Sequence, residues 1–76
     1  MGRLVTTVRG DTYPIRTNLK SLGFRWNERH GLWQSERALS DSSRKNLVSM
    51  LRDNGVEHAC EVRDIDAAFL EAPPVA

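Results

Sequence analysis

The chain opens on a β-branched run, Leu4-Val5-Thr6-Thr7-Val8, followed by Gly10-Asp11. That pattern predicts a strand ending in a turn. Ile15, Leu19 and Leu22 then recur at i, i+4 and i+7, the spacing of one helical face. Pro14 suits the first turn, where its missing N–H costs nothing, and Gly23 suits the position just past the end. A short helix is therefore expected over residues 14–22. Phe24-Arg25-Trp26-Asn27 alternates apolar and polar, and Leu32-Trp33-Gln34-Ser35 can return beside it. The intervening Asn27-Glu28-Arg29-His30-Gly31 reads as a hairpin loop. Phe24 and Trp26 share one face of that hairpin, with Arg25 and Asn27 on the other.

Ser40-Asp41-Ser42-Ser43 offers helix-capping side chains. Leu47, Met50 and Leu51 mark the buried face of the helix that follows, and Asn54-Gly55 stops it. Val56, His58, Cys60 and Val62 alternate with polar or small residues, the period of a final strand. The predicted order is β-α-β-β-α-β. The fold class is α+β, a small antiparallel sheet with two helices on one face, either a split-βαβ fold or a reduced version. Residues 1–63 form a single domain in this reading. Residues 64–76 form an acidic, partly disordered tail, in which Ile65, Ala68 and Phe69 allow a short helix before Pro73-Pro74.

Length sharpens this picture. Seventy-six residues make one domain with a thin stability margin. The single cysteine, Cys60, rules out an internal disulfide, and with only two histidines a structural zinc site has no ligand set. No apolar run approaches the ~20 residues needed to span a bilayer, and the first residues carry no signal-peptide hydrophobic region. The expectation is a cytoplasmic protein of a bacterial cell, or one encoded by its phage, without a cofactor, small-molecule substrate or membrane partner.

The net charge of +1 hides a split. Residues 1–56 hold ten Lys/Arg against five acids, while residues 57–76 hold one Arg against five acids. Nine of the eleven bases are Arg, whose planar fork matches phosphate and stacks on bases. A basic working surface and a separate acidic segment follow.

Nothing in the sequence assembles a catalytic constellation. Ser42 and Ser43 have no His partner nearby, the acids are scattered, and no phosphate-binding glycine loop is present. His58 and Cys60 read as two half-buried strand residues. The protein is therefore expected to be non-enzymatic.

Residues 10–34 carry the most specific pattern. Tyr13-Pro14-Ile15-Arg16, then Leu19-Lys20, Gly23, Trp26 and Trp33, resemble a small accessory domain of phage and plasmid DNA-handling proteins. The pattern is also loosely similar to the HARP domain of annealing helicases. The resemblance spans residues 8–55. Arg16 stands where that pattern has Lys, Phe24 where it has a small residue, and His30-Gly31 replaces a Lys-containing turn. It implies an accessory role in nucleic-acid transactions.

Two functions follow. In the first, the chain binds single-stranded or branched nucleic acid. Arg16, Lys20, Arg25, Arg29 and Arg37 hold phosphates, Arg44 and Lys45 sit early in the second helix as further contacts, and Trp33 stacks on a base. Trp26, sharing a face with Phe24, is expected in the core. In the second, the chain is a phage-type inhibitor or adaptor that occludes a nucleic-acid-processing host protein, for example a CRISPR or restriction effector. Glu57, Glu61, Asp64, Asp66, Phe69 and Glu71 would then engage the partner's basic groove. The two sheet edges also allow a homodimer by edge pairing.

Overall fold

In the computed structural model, which describes residues 2–71, the first β-branched run becomes strand β1, Leu4–Gly10. A single 3-10 turn, Tyr13–Ile15, leads into helix α1, Arg16–Ser21. Strands β2, Arg25–Asn27, and β3, Leu32–Gln34, form the hairpin. Helix α2 spans Asp41–Asp53, strand β4 Cys60–Asp66, and helix α3 Ala67–Glu71. The fold is α+β, a four-stranded antiparallel sheet with helices. The strands lie in the order β2-β3-β1-β4.

β1 lies inside the sheet and is covered on both sides. Its residues Val5, Thr6, Thr7 and Val8 are all buried. Val8 stands opposite Trp33 of β3 and Val62 of β4. On that face Ile15 and Leu19 from the first helical segment meet Leu47 and Leu51 of α2 in one cluster with Phe24 and Trp33. Because side chains alternate along a strand, Val5 points the other way. It joins Leu32, Ala67 and Leu70 in a second cluster, with Ile65 packed against it. α1 and α2 thus cover one face, called inner below, and α3 covers part of the outer face.

The helix ends follow local chemistry. The Ser40 hydroxyl accepts the Ser43 N–H at 3.3 Å and caps α2. Leu22 stands at the C-cap of α1, so its side chain is 40% exposed and leaves the stripe that its spacing placed it on. Gly10 closes β1 with φ +118°, and a Cβ there would run into the Ala59 carbonyl.

Two sequence expectations need correcting. The last strand does not begin at Val56. Residues 54–59 turn instead, held by Val56 N–H to Leu51 O and Ala59 N–H to Val56 O, both 3.0 Å. Nor does the domain end at residue 63. β4 pairs with β1 along seven residues, from Leu4 opposite Asp66 to Gly10 opposite Cys60. α3 then buries Ala67 and Leu70. Residues 64–71 are therefore part of the folded unit. The rest of the expected tail, 72–76, lies outside the described residues.

Thr6 is fully buried and fully used. Its N–H donates to Ser35 Oγ at 2.9 Å, and its carbonyl accepts from Ser35 N–H at 2.9 Å. Its hydroxyl donates to Asp64 Oδ1 at 2.8 Å and accepts the Leu39 N–H at 2.9 Å. Asp64 in turn receives Arg44 Nη2 on both oxygens at 2.7 Å. The Arg44 hydrogen bond, with help from Thr6, holds the Asp64 carboxyl below the usual carboxylate range against the opposing effect of desolvation.

Two outcomes follow. Thr6→Val keeps the shape but strands the Leu39 N–H, so it should cost about 1–3 kcal/mol, read as a lower urea midpoint at unchanged m-value. Asp64 has a folded-state pKa below its unfolded one. Its contribution is therefore complete above the unfolded value of about 3.9 and disappears as pH falls through the folded value. Partly exposed pairs such as this one contribute about 1 kcal/mol or less, so an Arg44→Ala chain should lose that part of its acid sensitivity. Identical acid-unfolding profiles for the two chains would refute this assignment.

Candidate functional site

The two tryptophans define the site. Trp26 and Trp33 stand opposite each other in the hairpin, with rings 5.4 Å apart and edge-on at 61°. Their environments differ because their strands differ. β3 is interior, so Trp33 sinks into the inner core at 6% exposure, and its Nε1–H donates to Thr12 Oγ1 at 3.0 Å. β2 is an edge strand with no strand beyond it among the described residues, so Trp26 remains 50% exposed. Phe24 precedes β2 and is buried instead, its N–H bonded to Leu19 O at 2.9 Å. Trp33, the candidate stacker, is core, and Trp26, expected in the core, is the indole with an exposed face.

Tyr13 completes the site. It sits in the 3-10 turn with 72% of its surface exposed. The Arg16 guanidinium lies 3.9 Å from the centre of its ring and donates to the Tyr13 carbonyl at 2.7 Å. Tyr13, Arg16, Trp26 and Asp11 line one cleft of about 270 Å³, with an edge of Trp33 at its wall. A flat aromatic ring that carries hydrogen-bond donors matches this set: two exposed rings, one cation, one carboxylate acceptor.

The other expected cations do not gather there. Arg25 alternates with Trp26 and projects on the outer face, beside Arg3 and Glu36. Lys20 lies on α1, Arg29 in the hairpin turn, Arg37 in the segment before α2 and Lys45 on α2. Among the described residues none of these has an acid within ion-pair distance, and neither has Arg16 or Arg9. Arg44 is different, since Asp64 occupies its fork.

The acids expected to meet a partner are mostly engaged within the chain. Glu57 pairs with Arg52 at 3.4 Å, Glu61 with Arg63 at 3.8 Å, Asp64 with Arg44, and Glu71 with Arg3 at 3.4 Å. Asp66 Oδ1 accepts the Ala68 N–H at 2.9 Å. Phe69 is 69% exposed, its ring 6.0 Å from that of His30. Cys60 donates its thiol to the Asp11 carbonyl at 3.3 Å, and burial pushes its pKa up, so the sulfur stays a neutral thiol.

Sequence reasoning passed over Arg9, Arg63 and His30, which line a depression on the outer face. Their signal was available: Arg9 shares strand parity with Val5 and Thr7, and Arg63 stands opposite Thr7. No helix among the described residues is long and apolar enough to cross a membrane. Comparisons with family models, with curated proteins and with solved structures find no match for this chain.

Acrylamide quenching checks the two indoles. A Trp26→Phe chain should keep blue-shifted, shielded emission from Trp33 and lose most of the quenchable signal. Strong quenching in that variant would refute the burial of Trp33.

Proposed function

We propose that this chain is a non-enzymatic accessory module that binds single-stranded nucleic acid, with one base entering the cleft between Trp26 and Tyr13. The observation that carries this reading is the exposure of two aromatic rings on one cleft, with Arg16 already stacked on one of them. Small domains keep large aromatic surfaces for their cores, and leaving two in water costs stability unless a ligand covers them. Base stacking contributes about 1–3 kcal/mol per base and tolerates any sequence. Arg16, Lys20, Arg25, Arg29, Arg37 and Lys45 supply phosphate contacts. Their spread over several surfaces favours a weak, sequence-independent footprint, with affinity in the range of about 10⁻⁴–10⁻⁶ M.

The element order is read as a reduced split-βαβ arrangement closed by a terminal helix. The resemblance to phage and plasmid accessory domains supports work in the bacterial cytoplasm. The inhibitor reading is weaker, because most of its acids already lie beside the chain's own arginines, which a partner's basic groove would have to displace.

Fluorescence anisotropy with a labelled mixed-sequence single strand, at about 50 and 200 mM salt, tests the reading. Binding should fall with salt and quench Trp26 emission. Trp26→Ala should weaken it about 5- to 150-fold, the equivalent of the stacking energy. Replacing Arg25 and Arg29 together by Ala should lower the log–log salt slope by about 1–2. Absence of saturation up to about 1 mM protein at the lower salt, tenfold above the weak end of that range, or full affinity in the Trp26→Ala chain, would overturn the proposal.

A further inference from the structure

The outer face of the sheet holds a second depression, of about 330 Å³. Its floor is apolar, from Leu32 and Ile65, and its walls carry Arg9, Arg63, His30 and Phe69. None of its lining residues is acidic. Arg9 has no ion-pair partner among the described residues. Glu61 reaches one nitrogen of Arg63 only at 3.8 Å, which leaves most of that fork free. The His30 backbone N–H donates to Asn27 Oδ1 at 3.0 Å, which fixes the hairpin backbone from which the ring projects. Its Nε2 is buried and has no hydrogen-bond partner among the described residues. A buried nitrogen without a partner is costly, and a turn of the ring toward the groove would let a ligand oxygen relieve it. Beside it the exposed Phe69 ring offers an aromatic face.

We infer that this groove binds the phosphate monoester of a nucleotide, with the phosphate between Arg9 and Arg63 against His30 and the nucleoside over Phe69. A monoester carries about −1.5 to −2 charges and three acceptor oxygens at neutral pH, which suits two guanidinium forks and an imidazole. A carboxylate has one charge and two oxygens and would leave donors unused. The apolar floor and the Phe69 ring call for a flat carrier rather than inorganic phosphate alone. The groove is separate from the Trp26 cleft: Arg9 lines one and Gly10 the other, on opposite faces of β1. The same chemistry is offered by a free mononucleotide and by the phosphorylated 5′ end of a strand.

The test is a titration of the ¹⁵N-labelled full chain followed by amide shifts, with adenosine 5′-monophosphate, adenosine and inorganic phosphate in parallel. The monophosphate should move Arg9, His30, Arg63 and Phe69 saturably, with adenosine at least about tenfold weaker. Arg9→Ala and Arg63→Ala should each weaken the monophosphate about fivefold or more, whereas Trp26→Ala should leave it unchanged. Both arginines are exposed, so neither variant threatens the fold. Oligonucleotides with a 5′-phosphate or a 5′-hydroxyl then separate the sources. A larger groove response to the phosphorylated strand than to the mononucleotide assigns strand ends, and the reverse assigns free nucleotide. Equal response to adenosine and its monophosphate, shifts confined to Tyr13 and Trp26, or no shifts at all would overturn the inference. Loss of strand binding in Trp26→Ala with the groove response intact would separate this site from the stacking cleft.

Discussion

The buried hydroxyl of Thr6 is the constraint around which the rest of the molecule is arranged. It sits in the central strand with no access to water, so its donor and its acceptor must both be satisfied within the chain. Leu39 N–H fills one role and Asp64 the other. The first bond pins the irregular segment between β3 and α2 against β1. The second sets the carboxylate where Arg44 of α2 meets it. The backbone ladder already sets β4 against β1, and this one polar atom adds α2 to the pair, through the Leu39 segment on one side and Asp64–Arg44 on the other. A purely apolar contact would not specify that geometry, because hydrophobic burial is non-directional.

The same network settles what the charge split means. An acidic C-terminal segment beside a basic N-terminal one looks like a detachable tail. It is instead one half of an internal pairing, with Arg3, Arg44 and Arg52 each meeting an acid from residues 57–71. Each such exposed pair is worth little for stability. Its larger effect is on the surface. Four of the five C-terminal acids lie beside an arginine, and most of the N-terminal bases stay unpaired. Internal pairing leaves the net charge of +1 unchanged, since Asp11, Glu28, Glu36, Asp41, Asp53 and Asp66 also stand outside any ion pair among the described residues, so positive surface is local to where the free arginines lie.

Periodicity made most of the elements legible in the sequence, and it failed where the third dimension intervenes. Parity along Phe24–Asn27 places Trp26 on the inner face, which is correct, and from this burial seemed to follow. Parity does not say whether a strand is interior or at an edge. Trp26 lies at the edge and Trp33 one strand further in, so the two indoles exchange roles. The end of the domain failed for a related reason. Asp64 and Asp66 are poor strand residues by composition. They are strand residues here because β1 supplies a full-length partner and Thr6 and Arg44 hold Asp64. The apolar spacing Ile65, Ala68, Phe69 also misread the last helix. Ile65 belongs to β4, and the helix buries Ala67 and Leu70, leaving Phe69 in water.

The exposure of Phe69 and that of Trp26 share a cause, and it bears on function. A chain of this size has interior room for few large rings. The inner core takes Phe24 and Trp33, and the outer cluster is built from smaller residues, Val5, Leu32, Ala67 and Leu70. Tyr13, Trp26 and Phe69 remain at the margins of the sheet, each within reach of a basic residue or histidine. The edges themselves are poor templates for another strand. β2 has only three residues, and β4 presents Glu61, Arg63, Asp64 and Asp66. Aromatic faces flanked by cations, on edges that resist strand pairing, favour a flat anionic ligand over a second protein sheet.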